Sequence, residues 1–269
     1  MSDSNFLKDI SQSIKVPADI AKAVVEPPAQ QLGQSLADLF YIAFAPLTKK
    51  RAQIEQNIET FKNEIGAEIS KIDPEKIVEP KLYVAGRILD SAKYYVEEEK
   101  LRNMFAKLIA ASVNEDFKDS TLPAFVQVIT DLSSLDAQNI VYLKSVHSPT
   151  THTVAGKIRL DEVTETGFGS TIVENFIPFP DINTKNHRFY AASVDNLVRL
   201  GIIQIHHGFK FEDMEVHDEL KKHALFLGLC EELKEIQEIH HLHLDKKIDI
   251  EHGMWTFTEF GKFFIDVCI

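Results

Sequence analysis

The chain has 269 residues, a formal net charge of −12 and a hydrophobic content of 44%. That length can bury one large core or two to three small ones. An acidic chain is repelled by phosphate groups unless its few cations cluster, so nucleic acid and anionic membrane surfaces are poor partners. Only two cysteines occur, Cys230 and Cys268, without a CxxC pair, which argues against a disulfide framework and against a thiolate zinc site.

Residues 1–79 are predicted to form an N-terminal helical arm that is punctuated by prolines. The apolar run at 36–47 contains Asp38 and is shorter than the roughly 20 residues of a membrane-spanning helix. We therefore expect a buried helix there. The alternative is that residues 17–48 form an amphipathic element that enters a membrane interface. The first residues lack the cationic start and apolar run of a signal peptide, which predicts a cytoplasmic protein.

A longer amphipathic helix is predicted after Pro46, because apolar residues recur there at helical spacing. The stripe consists of Ile54, Ile58, Phe61, Ile65 and Ile69. Such a narrow stripe can pack within the chain or form a coiled-coil seam with a second copy. Ile54, Ile58, Phe61 and Ile65 are therefore candidate residues of an interaction surface.

Residues 80–147 are predicted to form a compact bundle of four short helices joined by tight turns. One predicted buried stripe contains Leu82, Ala85, Leu89 and Ala92, and the next contains Leu101, Phe105, Leu108 and Ser112. Ser133 precedes Asp136 by three residues, the spacing of a capping box at the start of a helix.

Residues 148–269 are predicted to form a smaller module in which helices alternate with a short antiparallel sheet. Stretches rich in Thr, Gly and β-branched residues indicate strands at 151–163 and 169–179. A helix with a glycine stop, a strand, and a helical segment at 215–239 interrupted near Gly228 follow. The end is a strand and a helix capped by a threonine. The order is winged-helix-like, and the predicted fold class is α+β, mostly α.

The winged-helix-like module is expected to serve protein contact rather than DNA contact. In DNA-binding winged helices the recognition helix carries several Arg or Lys residues. The corresponding segment here, residues 190–200, holds only Arg199 and also contains Asp195. Residues 187–269 contain 9 Lys/Arg and 15 Asp/Glu, and this acidic balance argues against phosphate contact.

Several patterns in the second and third parts of the chain occur together. An acidic run leads into LRNMFAKLIAASVN, a proline-started helix and LSSLDA follow, and the tail contains NLVRLGI and TFTEFGKFF. Their residues are Glu97, Glu98, Glu99, Leu101, Arg102, Asn103, Met104, Phe105, Ala106, Leu108, Ala110, Asn114, Pro123, Phe125, Ile129, Leu132, Leu135, Asp136, Ala137, Asn196, Leu197, Leu200, Gly201, Ile202, Thr256, Thr258, Gly261 and Phe264. They resemble the abortive infection alpha family of bacterial phage-resistance proteins over residues 80–269. The resemblance implies a defence protein that limits phage propagation at the infected cell's expense, and it supplies no catalytic residues.

The acidic run is the first group of side chains that could carry chemistry. Consecutive glutamates splay around a helix axis, so a metal site is less well supported than a stabilising role at a helix N-terminus. Glu97, Glu98 and Arg102 are added to the candidate interaction surface, while no catalytic residue, metal site or cofactor is predicted. The histidines His206, His207, His240, His241 and His243 could offer a zinc or nickel site, but no HExxH pattern accompanies them.

Arg199 and His206 have a spacing similar to that of the arginine and histidine of HEPN-type defence ribonucleases. Gly201 and the β-branched residues between them place the two on different elements instead. The leading hypothesis is a non-enzymatic phage-defence protein that contacts an unknown protein partner and forms a homo-oligomer. The alternatives are a membrane-perturbing effector that uses residues 17–48, a defence nuclease, and a winged-helix nucleic-acid binder.

Overall fold

The computed structural model describes residues 27–48, 52–117, 120, 122–148, 153–162, 169–208, 215–239 and 246–269. Helices dominate these residues and accompany one antiparallel sheet, which confirms the predicted α+β, mostly α class. The helices are α1 (Pro27–Thr48), α2 (Ala52–Ile69), α3 (Leu82–Ala92), α4 (Glu99–Ser112), α5 (Leu122–Thr130), α6 (Ser134–Val146), α7 (His187–Arg199), α8 (Glu215–Lys222), α9 (Ala224–Ile239) and α10 (Glu259–Cys268). The strands are β1 (Val154–Glu162), β2 (Gly169–Phe176), β3 (Ile203–His207) and β4 (Lys246–Phe257).

The chain divides into two compact units. Unit 1 consists of Met1–Ser134 and Phe264–Ile269, and unit 2 consists of Leu135–Phe263. Unit 1 is helical in its described residues, whereas unit 2 contains the sheet together with helices. The division into three parts, with boundaries after residues 79 and 147, stays a prediction.

The core of unit 1 contains three phenylalanines from α1 and α2. Phe40 and Phe44 stack one turn apart on α1, with ring centroids 4.3 Å apart. Phe61 of α2 lies 6.0 Å from the first ring and 5.9 Å from the second, and all three side chains are buried. Aromatic pairs at such distances contribute about 0.5–1.5 kcal/mol beyond the area that they bury. The predicted stripe of α2 therefore packs within the chain, which is one of the two alternatives that its spacing left open.

Helix α1 contains the buried helix predicted at residues 36–47. Leu36, Ala37, Phe40 and Phe44 are buried on one face. Ile42, on the opposite side of the same helix, is 71% exposed. Among the described residues, no helix is both long and apolar enough to cross a membrane.

The predicted stripe of α4 is confirmed, and that of α3 is confirmed in part. Leu101, Phe105, Leu108 and Ser112 are all buried. The buried residues of α3 are Val84, Ala85, Ile88, Leu89 and Ala92, whereas Leu82 is 65% exposed. The prediction for Leu82 is wrong because the buried face is centred on Ala85, Ile88 and Ala92, which leaves Leu82 at its border.

Unit 2 is built on a sheet with the strand order β2-β1-β4-β3, in which every neighbouring pair is antiparallel. β4 is longer than the strand predicted near residue 254, because its residues 246–254 pair with β1. Trp255 and Phe257 lie on the same face, as predicted, with their rings edge to face and 5.1 Å apart. Both side chains are buried, so this face of β4 belongs to the core of unit 2.

A junction of glycine and threonine joins the end of α7 to the start of α10. Gly201 has a φ of 72°, the left-handed conformation that stops α7. Thr258 caps α10 as predicted, since its Oγ1 accepts a hydrogen bond from the Gly261 N–H at 2.8 Å. A Cβ on Gly261 would lie 1.9 Å from the Ile202 carbonyl oxygen, so only glycine fits there. The NLVRLGI and TFTEFGKFF patterns thus meet at this junction.

The helical segment at 215–239 is interrupted at His223, and the predicted interruption near Gly228 is wrong. The His223 Nδ1 accepts a hydrogen bond from the Leu225 N–H at 3.1 Å and so caps the start of α9. Gly228 lies inside α9, where a Cβ would come within 2.9 Å of the Thr184 Cγ2. Its glycine is therefore explained by close packing rather than by a break.

Trp255→Ala is expected to lower the free energy of unfolding by about 3–5 kcal/mol, because truncating a large buried side chain leaves a cavity. Urea denaturation followed by circular dichroism measures the loss. Phe189→Ala is the matched control, since this aromatic side chain of the same unit is 70% exposed, and its effect should stay within about 0.5 kcal/mol. A loss below about 1 kcal/mol for Trp255→Ala would contradict its place in the core.

Acidification is expected to destabilise unit 2 through His223. Burial lowers the pKa of His223, while the hydrogen bond from its Nε2 to the Phe179 carbonyl oxygen, at 3.0 Å, raises it by less. Capping by Nδ1 also needs the neutral ring. Below about pH 6.5 His223 is therefore protonated in the unfolded chain but still neutral in the folded chain. The stability that the neutral ring contributes is complete above that pH and is lost progressively below it.

The measurement is urea unfolding at pH 7.5 and at pH 5.5, followed by the fluorescence of Trp255. Wild type should lose up to about 1 kcal/mol more than His223→Asn, which keeps a cap acceptor but does not titrate. Equal losses in the two proteins would show that His223 does not couple folding to protonation.

Candidate contact surfaces

The α2 stripe was the largest part of the predicted interaction surface. Ile58, Phe61 and Ile65 are buried in the core of unit 1, and Ile54 is partly covered. A partner could reach the three buried side chains only if α2 left Phe40 and Phe44. Their contact with a second copy stays a prediction, and the structure gives them a packing role.

Arg102 joins two helices of unit 1 from a buried position on α4. Its guanidinium donates to both carboxylate oxygens of Glu64 on α2, from Nε at 3.0 Å and from Nη2 at 2.9 Å. Its Nη1 donates to the Val96 carbonyl oxygen at 2.8 Å. A forked arginine–carboxylate pair fixes direction as well as distance. Arg102 therefore ties α4 both to α2 and to the connection between α3 and α4, and it is not an exposed contact residue.

Glu97, Glu98 and Glu99 are exposed at the N-terminus of α4, as predicted. Negative charge interacts favourably with the positive end of the helix dipole there. Glu98 occupies the cap position, although its side chain does not bond the first turn. It instead accepts a hydrogen bond from the Ser134 Oγ at 2.6 Å. These side chains form an acidic edge that remains accessible in the chain.

Two of the family patterns meet in unit 2 through a polar cluster between α6 and α7. The Asn196 Nδ2 donates to the Asp136 Oδ2 at 2.9 Å, and the Arg199 Nε donates to the Asn196 Oδ1 at 3.0 Å. The Asn139 Nδ2 donates to the Ser193 Oγ at 2.8 Å. Asp136, Asn139 and Ser193 are buried, so the cluster aligns two helices inside the unit.

A second polar chain connects the two edge strands of the sheet. The His207 Nε2 lies 3.0 Å from the Asn175 Oδ1, although β3 and β2 are at opposite edges. The Asn175 Nδ2 donates to the Asp195 Oδ1 at 2.6 Å, which brings in α7. The sheet is therefore curled, with α7 beside both edges. No sequence pattern indicates that His207, Asn175 and Asp195 are connected, because the three residues come from three separate elements.

The structure separates Arg199 from His206, as the sequence predicted. Arg199 is the last residue of α7 and His206 lies in β3. His240, His241 and His243 lie outside the described residues. Among the residues that are described, no group of three or more His, Cys, Asp or Glu side chains could hold a metal ion.

An exposed stripe on α3 was not predicted. Tyr83 is 69% exposed and Tyr94 is 73% exposed, and Arg87 and Asp90 lie exposed between them. Spacings of 4 and 3 residues place Tyr83, Arg87 and Asp90 on one side of the helix, and Tyr94 follows in the turn after the helix. We name these four residues the α3 stripe. Tyrosine and arginine are enriched in the energetically dominant parts of protein interfaces, so the composition of the stripe is that of a contact surface.

Arg102→Met is expected to lower the free energy of unfolding by about 3 kcal/mol, because it leaves Glu64 and the Val96 carbonyl without their buried partner. Arg102→Lys should lose less, since it keeps the charge. Lys71→Met is the control, because its ion pair with Glu68 is exposed and should contribute less than about 1 kcal/mol. Urea denaturation measures both losses. Equal losses of unfolding free energy for Arg102→Met and Lys71→Met would contradict the role of Arg102 in joining α4 to α2.

The comparisons with known proteins identify the family of the chain. No curated protein matches the sequence, and no solved structure matches the fold. A family model described as "Abortive infection alpha" matches residues 53–268, which is most of the chain and includes α2 together with the patterns described above. Membership of this family suggests a part in abortive infection, a defence against phage. The chain belongs to the abortive infection alpha family.

Proposed function

We propose that this protein defends bacteria against phage by contact with another protein, and that the α3 stripe is the contact surface. A non-enzymatic role is proposed with it. The observation that supports this function is the exposure of two tyrosines on either side of an arginine, one on α3 and the other in the turn just after it, while the opposite face of α3 is buried. Such a helix presents aromatic side chains on a rigid support, which keeps the entropy cost of binding low.

The surroundings of the stripe support the same function. Among the described residues Arg87 has no hydrogen-bond or ion-pair partner, so its guanidinium is available to a ligand. The acidic edge with Glu97 and Glu98 follows Tyr94 after two residues, Tyr95 and Val96. Exposed charge at the border of an aromatic patch favours correct orientation of a partner more than affinity. The stripe and the acidic edge together therefore suit a protein surface as a ligand.

The alternatives have less support from the described residues. The membrane effector was predicted to use residues 17–48, but the apolar face of α1 is occupied by the core of unit 1. The nuclease was predicted to use Arg199 and His206, which lie on different elements. A nucleic-acid-binding winged helix would use α7, whose Arg199 donates to Asn196 within the chain.

Replacement of both tyrosines, Tyr83→Ala/Tyr94→Ala, is expected to abolish protection against phage. The chain is expressed at a low level in a bacterial host, which is infected with a broad phage panel at low and high multiplicity. Wild type should reduce plaque number, and cells should die at high multiplicity. Loss of the aromatic anchors should raise plaque number at least about tenfold toward the level of cells without the protein, because such anchors carry most of the binding energy.

Phe189→Ala is the matched control, since it removes an equally exposed aromatic side chain from unit 2. It should protect like wild type, and all three proteins should accumulate to the same level. Full protection by the double variant would contradict the assignment of the stripe. A wild type that reduces plaques of no phage in the panel would contradict a defence function of the chain acting alone.

A further inference from the structure

We propose that the partner of the α3 stripe is the α3 stripe of a second copy, so that two chains pair antiparallel across a two-fold axis. The proposal rests on the proposed function, because it names the partner of the same surface. It replaces the α2 seam as the route to a homo-oligomer, since Ile58, Phe61 and Ile65 are buried.

The four side chains of the stripe are symmetric about one point on the helix. Tyr83 and Tyr94 are equally far from the point between residues 88 and 89, and so are Arg87 and Asp90. When two copies of α3 run antiparallel through that point, Tyr83 meets Tyr94 of the second copy, and Arg87 meets its Asp90. Every contact then occurs twice, which is the rule for an interface on a two-fold axis.

Tyr94 lies two residues past the end of α3, in the turn that follows the helix. Lys93 keeps helical backbone angles, and the Tyr94 N–H donates to the Ser91 carbonyl oxygen at 3.3 Å, so the turn continues. The Lys93 Nζ lies 5.0 Å from the centre of the Tyr94 ring and pairs with Asp90. The ring is thereby held in place before binding, which lowers the entropy cost of using it.

The charge balance of the segment around the stripe allows the same pairing. Residues 81–100 contain four Lys/Arg and four Asp/Glu, although the chain as a whole carries −12. Two copies can therefore approach here without the repulsion that the rest of the surface imposes. Lys81 and Arg87 precede the pairing point between residues 88 and 89, whereas Asp90 and Glu97 follow it. An antiparallel arrangement brings Lys81 toward Glu97 and Arg87 toward Asp90 of the second copy, while Lys93 stays paired with Asp90 of its own chain. A parallel arrangement would place Arg87 opposite Arg87.

The tyrosines of the stripe can supply part of an ordinary interface. Burying a whole aromatic side chain removes about 150–250 Å² from water, and Tyr83 and Tyr94 still expose 69% and 73% of their surface. The four tyrosines of a pair therefore account for roughly 400–700 Å² of the about 1,600 Å² in a standard interface. Leu82 is 65% exposed beside the stripe, and Ile42 is 71% exposed on the adjoining α1. We therefore expect a dimer with a dissociation constant in the micromolar range.

Sedimentation velocity of the full chain across about 1 to 100 μM tests the pairing. Wild type should shift from monomer to dimer with concentration. Arg87→Glu and Asp90→Lys should each weaken the dimer at least about tenfold, because each creates two like-charge contacts. Arg87→Glu/Asp90→Lys should restore it, because the opposite charges meet again in exchanged positions. Lys71→Glu, an exposed change at the end of α2, should leave it unaltered.

A wild type that stays monomeric throughout would overturn the self-pairing. So would single variants that dimerise as tightly as wild type, or a double variant that fails to recover. A monomeric wild type whose protection is lost on Tyr83→Ala/Tyr94→Ala would overturn self-pairing alone and leave the contact function with another protein. If Arg87→Glu and Asp90→Lys weaken the dimer but still protect fully against phage, the self-pairing is upheld and the proposed function of the stripe is overturned.

Discussion

The burial of the α2 apolar face against Phe40 and Phe44 is the constraint on which the account of unit 1 depends. The three rings lie 4.3–6.0 Å apart and are closed to water. A seam with a second copy would have to replace this packing, and separating a buried phenylalanine from its core costs about 3–5 kcal/mol. Contacts with other proteins are therefore expected on a side of the bundle that the core does not use.

The surface around the end of α3, which the core does not use, is linked to the core through Arg102. Its guanidinium fixes the Val96 carbonyl in the connection between α3 and α4, while Tyr95 in the same connection donates to the Thr130 carbonyl at 2.9 Å. The two neighbours of this pair, Tyr94 and Glu97, are exposed. Buried polar contacts thus hold the connection, and the exposed residues next to it gain a fixed position. In this way a buried residue of the family pattern shapes a surface without being exposed itself.

The sequence predicted what periodicity controls. A repeat of 3.6 residues predicted the α2 and α4 stripes, and a repeat of 2 residues predicted that Trp255 and Phe257 share a face. Capping chemistry predicted the role of Thr258. Periodicity does not show what covers a stripe. From the sequence alone, the α2 stripe could therefore pack inside the chain or against a second copy. It misplaced Leu82, because the burial of a residue at the border of a face depends on which other helices cover it. It misplaced the break at His223, because histidine is not one of the residues that usually cap a helix start. The polar chain from His207 to Asp195 had no sequence signal, since three elements contribute to it.

If the α3 stripes of two copies pair weakly, the stripe should be open to water in dilute protein and covered in concentrated protein. Side-chain footprinting by hydroxyl radicals tests this account most directly, at low and high protein concentration. Tyr83 and Tyr94 should react when the protein is dilute and become protected when it is concentrated. Phe189 should react in both conditions and Phe61 in neither. Reaction of Phe61, or tyrosines whose reactivity does not depend on concentration, would contradict the account.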